Sequence, residues 1–168
     1  MKRVKQALLI IVSFSFVFFW RLSPLNDYTI PMLGLLVFIF LVITSRNKNF
    51  NPVSSLGNNE LMGVFILNAV ILLLIFSTGE FSSPLFFLLY FLEFGIAFVF
   101  DPILVFIFLI ATIGLFLTDA LKDDSVGNFI RLGSLVFIAP LAYYFGKEYI
   151  DKKIDTPSTI KKKNNRKS

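Results

Sequence analysis

One acidic residue interrupts a long apolar run. Glu93 stands within Leu85–Leu117, 33 residues broken otherwise only by Asp101 and Pro102. A carboxyl set among Leu, Phe and Ile permits two kinds of chemistry. It can carry a proton or hold a ligand at the middle of an apolar helix. It can equally stay neutral, take hydrogen bonds and lock two helices together. Tyr90 lies one turn earlier on a neighbouring face, where its hydroxyl can donate. Asn68, midway along an earlier apolar segment, is a second candidate partner. Both readings of Glu93, Tyr90 and Asn68 stay open at this level.

Other chemistry is excluded by residue type. The chain has no cysteine and no histidine. That removes disulfides, thiolate nucleophiles, histidine metal sites, Ser-His-Asp triads and a phospho-acceptor histidine. No phosphate-binding GxxxxGK[ST] loop, HExxH or GxSxG motif occurs. An intramembrane aspartyl protease needs two buried aspartates, and only Asp101 comes near membrane depth. A metal would need an all-oxygen site, and no carboxylate cluster falls within the apolar segments. The expectation is a protein that is not an enzyme and holds no metal or cofactor.

The elements that position these residues follow from composition. The 168 residues are 56% hydrophobic and 16% charged, with mean hydropathy +0.77. Soluble domains are about 45–50% apolar and about 25% charged. A core of this size cannot hide so much apolar surface, so it faces lipid. The 22 phenylalanines suit a lipid-facing surface. They equally suit an AT-rich codon bias, and no function is read from them.

The fold class expected is all-α, a polytopic transmembrane helix bundle of six spans. These cover about 4–22, 29–45, 60–77, 84–100, 102–118 and 129–146, followed by a basic tail over 147–168. A helix of 33 residues would be about 50 Å long, too long for one crossing. Pro102 disfavours helix at Asp101 and can itself open one, with Asp101 as cap. A tight hairpin at Phe100–Asp101 is therefore expected. Ser83 and Pro84 are expected to cap and open the fourth span in the same way. Gly95 with Ala97, and Ala111 with Gly114, are read as close-packing patches. Gly133 and Pro140 are read as a bend in the sixth span.

Charge sets the direction. The N-terminus, the second–third connection and the tail carry 13 basic residues. The opposite side carries three, Arg21, Lys122 and Arg131. The positive-inside rule then places both termini in the cytoplasm, as expected of a bacterial inner-membrane protein. Trp20 and Tyr28 fall at the outer boundary, and Tyr143, Tyr144 and Tyr149 at the inner one. No small-residue cleavage site follows Trp20, so the first apolar run reads as a retained helix rather than a signal peptide.

Ser77–Ser83 and Asp119–Asn128 are the substantial outer loops, both leaning acidic. Ser45–Glu60 is an Asn- and Ser-rich inner connection, with Asn58 or Asn59 expected to cap the third span. A short helix continues from Lys147 and is expected to stop at Thr156-Pro157. In the closing residues, Lys161, Lys162, Lys163, Arg166 and Lys167 read as an orientation signal that touches anionic lipid. No aromatic residues interleave them, so nucleic acid is not an expected partner.

The stretch Ser77–Phe98, STGEFSSPLFFLLYFLEFGIAF, resembles the membrane sensor region of redox-responsive bacterial sensor histidine kinases. In that family an outer loop of the form TGG-x-x-(S/N)-P-F opens a Phe-rich span within six helices. Thr78, Gly79, Ser83 and Pro84 match it. Glu80 stands where the family has its second Gly, Leu85 where it has Phe, and Glu93 where an apolar residue is usual. The resemblance implies a sensor-like module and, as a ligand class, a quinone. The 23 residues after Phe145 are too few for kinase domains, so such a module would work through a partner.

Three readings of function follow. The first is a non-catalytic sensor or scaffold that signals through a protein partner or a second copy. The second is a small-solute-binding subunit of a transporter, like the membrane components of vitamin importers. It requires polar groups from several spans to converge near the outer face, and Asn68, Tyr90, Glu93 and Thr112 are the few on offer. The third is a cell-envelope assembly scaffold.

Overall fold

The structure is a computed structural model describing residues 2–46, 58–122 and 125–164, with side-chain surroundings for 3–42, 45, 62–122 and 125–152. All regular structure among these residues is helical. The α-helices are α1 (Lys2–Leu22), α2 (Thr29–Arg46), α3 (Asn58–Ser77), α4 (Leu88–Val99), α5 (Leu104–Ala120) and α6 (Ser125–Asn164). Short 3-10 turns occupy Pro24–Tyr28 and Glu80–Ser82. Most of the Ser45–Glu60 connection, and the side chains of Asn58 and Asn59, lie outside the described residues.

Three stretches are long and apolar enough to cross a membrane: Arg3–Leu22, Pro24–Val42 and Ser125–Lys152. Met62–Ser77, Leu88–Val99 and Leu104–Ala120 form shorter apolar helices. In space, α1 sits between α3 and α5. The α2 helix packs on α3 at one edge, while α4, α5 and α6 group at the other.

Helix spacing shows which faces meet. In α1 the buried Ile10, Ser13, Phe14 and Val17 recur at three- and four-residue steps. Its other side leaves Leu8, Val12, Phe19 and Leu22 exposed. Among the described residues of α2 only Thr29 and Leu36 are buried, while Ile30 is 78% and Phe38 67% exposed. Apolar surface of that extent is favourable against lipid and costly against water.

The α4–α6 contact is the most intimate. Leu135, Ala139, Ala142 and Gly146 form a buried stripe of mostly small residues on α6. Gly146 lies against Ala97 of α4, where an added Cβ would stand 2.6 Å from the Ala97 carbonyl oxygen. The expected packing role thus holds for Ala97. It is corrected for Gly95 and Gly114, where an added Cβ meets nothing within 4 Å. The space beside them is open, Gly114 lining a groove with Phe14 and Phe18 of α1, and α6 stays helical through Gly133 and Pro140.

The expected hairpin is present. Phe100 is extended and donates its N–H to the Ile96 carbonyl at 2.9 Å. Asp101 closes the turn that precedes α5 rather than capping the helix itself: its Oδ1 accepts from the Ile103 N–H at 3.3 Å, and Ile103 is the cap residue, with no side-chain cap bond. Arg3 donates through Nε to the other carboxylate oxygen, tying the start of α1 to this turn. At the opposite end, Ser83 Oγ accepts from the Leu85 N–H at 3.1 Å. Tight i→i+3 bonds then follow, Leu88 to Leu85 at 2.9 Å and Leu89 to Phe86 at 3.1 Å. Regular α4 therefore begins at Leu88, four residues after Pro84.

Two boundaries differ from expectation. Asp119 belongs to α5 and Ser125 already to α6, so the acidic loop is shorter than Asp119–Asn128. Its ion pairs, described below, hold Asp119 on the helix. The tail helix also passes Thr156-Pro157 and reaches Asn164. Proline removes one backbone donor and biases the preceding residue away from helix, but it does not oblige a helix to end.

Candidate functional site

Glu93 is 0% exposed, and neither carboxyl oxygen has a hydrogen-bond partner among the described residues. The α4 helix presents Leu89, Leu92, Glu93, Ile96 and Ala97 to the interior. The Tyr90–Ser134 and Ala97–Gly146 contacts bracket Glu93 along α4. Between those two levels the buried residues of α6 are Leu135, Ala139 and Ala142. None of these side chains can hydrogen-bond to a carboxyl.

The expected partners are corrected. Ser134 donates its one hydroxyl proton to the Arg131 carbonyl at 2.6 Å. The Tyr90 O–H must then donate to Ser134 Oγ, also at 2.6 Å. Asn68 is engaged elsewhere as well. Ser13 donates to the Ile10 carbonyl at 2.8 Å, and Asn68 Nδ2 donates to Ser13 Oγ. Asn68 Oδ1 is left buried without a partner. Thr112 donates back to the Phe108 carbonyl at 2.9 Å, a bond within its own helix. These three groups therefore satisfy the α1–α3 contact, the α4–α6 contact and α5 itself, rather than one shared cavity.

A second polar assembly lies at the bundle end where α1 and α5 finish. Arg21 donates to Asp119 at 2.8 Å and to Glu80 at 2.7 Å. Lys122 reaches Asp119 at 2.7 Å. The Arg21 guanidinium also lies over the Phe76 ring, 4.1 Å from its centroid. Beneath it Phe76 stacks on Phe116 at 4.6 Å, and Phe81 and Phe86 close the aromatic group at 5.3 and 5.8 Å from Phe116. Arg131 of α6 donates to the Phe81 carbonyl. One end of the bundle is thus clasped through α1, α3, α5, α6 and the connecting loop.

Asp119 lies just past the expected fifth span. Burial alone would raise its pKa, but the hydrogen bonds and charges of Arg21 and Lys122 outweigh burial and hold it below the ordinary aspartate value. The hydrogen bond to Asp119 raises the pKa of Lys122 in return. In the sequence Arg21 and Lys122 stand only as charges flanking apolar segments, with nothing local to join Arg21 to Asp119. The available signal was opposite charge at the same end of two apolar segments.

Thr78, Gly79, Ser83 and Pro84, in the loop between α3 and α4, come together as one compact turn. Thr78 Oγ1 donates to the Leu74 carbonyl at 2.7 Å. Ser83 therefore donates to Thr78 across 2.6 Å. Gly79 has φ +115°, and Glu80 follows with φ +56°. A non-glycine residue in that left-handed region costs about 1–2 kcal/mol. Its carboxylate is held by Arg21. Pro84 is exposed.

In the tail, Lys161, Lys162 and Lys163 continue α6 as backbone. Their side chains, and the whole of Arg166 and Lys167, lie outside the described residues. No group of three or more acidic side chains suited to a metal occurs among the described residues.

Compared with known proteins, the chain matches no family model, no curated protein and no solved structure.

Proposed function

We infer that this chain is a multi-pass integral membrane protein, a sensor-like or scaffold module without catalysis of its own. Its six helices cross a bacterial inner membrane, both ends face the cytosol, and it acts through a protein partner or a second copy. The outward apolar faces of α1 and α2 support the membrane setting. The charge asymmetry supports the direction. The Arg3–Asp101 pair and the Arg21 clasp close opposite ends of the bundle.

The observation that carries the sensor reading is Glu93. A helix lock requires a donor on a neighbouring helix, and both Glu93 oxygens lack one. An orphaned polar group in a packed interior leaves the arrangement around it dependent on protonation or on a ligand. Solute transport receives less support, because Tyr90, Asn68 and Thr112 are each bonded elsewhere. The left-handed backbone at Glu80 suits the glycine that the resembling sensor loop carries there.

The test uses the protein in lipid vesicles. Infrared difference spectra on changing pH follow the carboxyl, while the single tryptophan, Trp20, reports packing. The expected result is a carboxyl signal that changes together with Trp20 emission, both absent in Glu93→Gln. A Trp20 response undiminished in Glu93→Gln, or a Glu93 signal constant wherever the protein is folded, would overturn the reading.

A further inference from the structure

A pocket of about 350 Å³ opens at the bundle end opposite the Arg21 clasp. Arg3, Asp101, Pro102, Ile103, Tyr143, Lys147, Ile150 and Asp151 line it. Its chemistry is of two kinds. Pro102, Ile103 and Ile150 provide an apolar wall. Arg3, Lys147, Asp101 and Asp151 supply two positive and two negative charges, which cancel.

Some of these groups are already committed and some are not. Arg3 spends Nε on Asp101. That bond orients the guanidinium and leaves its terminal nitrogens for a second acceptor. Lys147 and Asp151 belong to none of the ion pairs among the described residues. Tyr143 is set in the wall by its ring contact with Phe106 at 5.5 Å. Cation and carboxylate thus stand in one pocket, each with capacity for an outside partner.

We propose that this pocket binds the phosphoethanolamine headgroup of a zwitterionic phospholipid. Arg3 and Lys147 take the phosphate, and Asp151 takes the ammonium. A guanidinium and an ammonium are the usual partners of a phosphate oxygen. The neutral charge balance favours a zwitterion, since an anionic headgroup would leave Asp151 facing uncompensated negative charge. A choline headgroup lacks the N–H donors that Asp151 would accept from. The apolar wall meets the start of the acyl region. The assignment rests on the helices crossing a membrane, which puts this pocket at the lipid–water boundary.

The experiment is native mass spectrometry of the full chain in detergent. Phosphatidylethanolamine, phosphatidylglycerol and phosphatidylcholine with identical chains are offered in competition. Preferential retention of phosphatidylethanolamine is expected, falling about tenfold in Lys147→Gln and surviving in Lys147→Arg. Asp151→Asn should abolish the preference over phosphatidylglycerol. Equal retention of all three lipids by the native chain, or a preference unchanged in both Lys147→Gln and Asp151→Asn, would overturn the proposal. Soluble phosphoethanolamine distinguishes the source. No displacement of lipid supports the phospholipid, and displacement at equal concentration assigns the pocket to the soluble compound instead. Thermal melts of each variant separate loss of fold from loss of binding. Recovery of the chain in water without detergent would undo the membrane reading itself, independently of any headgroup preference.

Discussion

Gly146 of α6 and Ala97 of α4 touch backbone to backbone: a Cβ on residue 146 would stand 2.6 Å from the Ala97 carbonyl oxygen. No flexible side chain is available there to give way, so adding even a methyl must push the helices apart. Gly146→Ala should therefore destabilise the bundle by about 1–3 kcal/mol, the usual cost of overpacking. Gly133→Ala on the same helix meets nothing within 4 Å. It should be neutral or stabilising by up to about 1 kcal/mol. Unfolding in mixed detergent micelles measures both, and equal effects would contradict the α4–α6 packing described.

The Arg21 clasp predicts unequal consequences for its two cations. Asp119 has a side chain 1% exposed, whereas that of Lys122 is 64% exposed. Removing Arg21 leaves a buried carboxylate with one exposed partner. Arg21→Gln should cost about 3 kcal/mol. Lys122→Gln should cost much less, because an exposed cation is screened by solvent. The same micellar unfolding assay ranks them, and a larger loss in Lys122→Gln would show that the clasp is held differently.

Acid stability should carry the signature of Asp119. Its native pKa is lowered from the ordinary 3.8, with burial opposing and the Arg21 and Lys122 interactions prevailing. A depressed carboxylate contributes stability that is present above its unfolded pKa. That contribution is lost as pH falls through the lower native pKa. The native chain should thus lose stability below about pH 3.8. Asp119→Asn should lack this part of the acid limb. Unfolding midpoints measured against pH check it, and superimposable acid limbs would refute it.

Glu80 sets a backbone cost against an ion pair. Its φ of +56° disfavours any side chain, and its carboxylate is held by Arg21 at 2.7 Å. Glu80→Ala loses the pair and keeps the cost. Glu80→Gly loses the pair and removes the cost, so it should be the more stable by about 1 kcal/mol. Melting temperatures of the two variants decide the order.

What was legible in the sequence is the helical architecture and the turn chemistry. Asp101-Pro102 signalled a tight hairpin because proline and a short carboxylate act locally, and Asp101 does accept from the Ile103 N–H within that turn. Ser83 was legible for the same reason. The partners of Glu93 were not legible, since spacing shows which residues share a face but not which hydroxyls are already bonded. Tyr90 goes to Ser134, a residue 44 positions away. The close contact lies at Gly146 rather than at Gly95 or Gly114, because a glycine matters only where the neighbouring helix crosses. The clasp is not legible in the sequence because Arg21 and Asp119 are 98 residues apart.

The central claim is an apolar bundle whose helices cross the membrane and leave both ends in the cytosol. The chain has no native cysteine, so single substitutions report position without background. Ser82→Cys, Lys5→Cys and Lys152→Cys, each at an exposed residue, would be labelled in intact cells with a membrane-impermeant maleimide. The account predicts that position 82 reacts from outside, while positions 5 and 152 react only after permeabilisation. Labelling of 5 and 152 from opposite sides would contradict it.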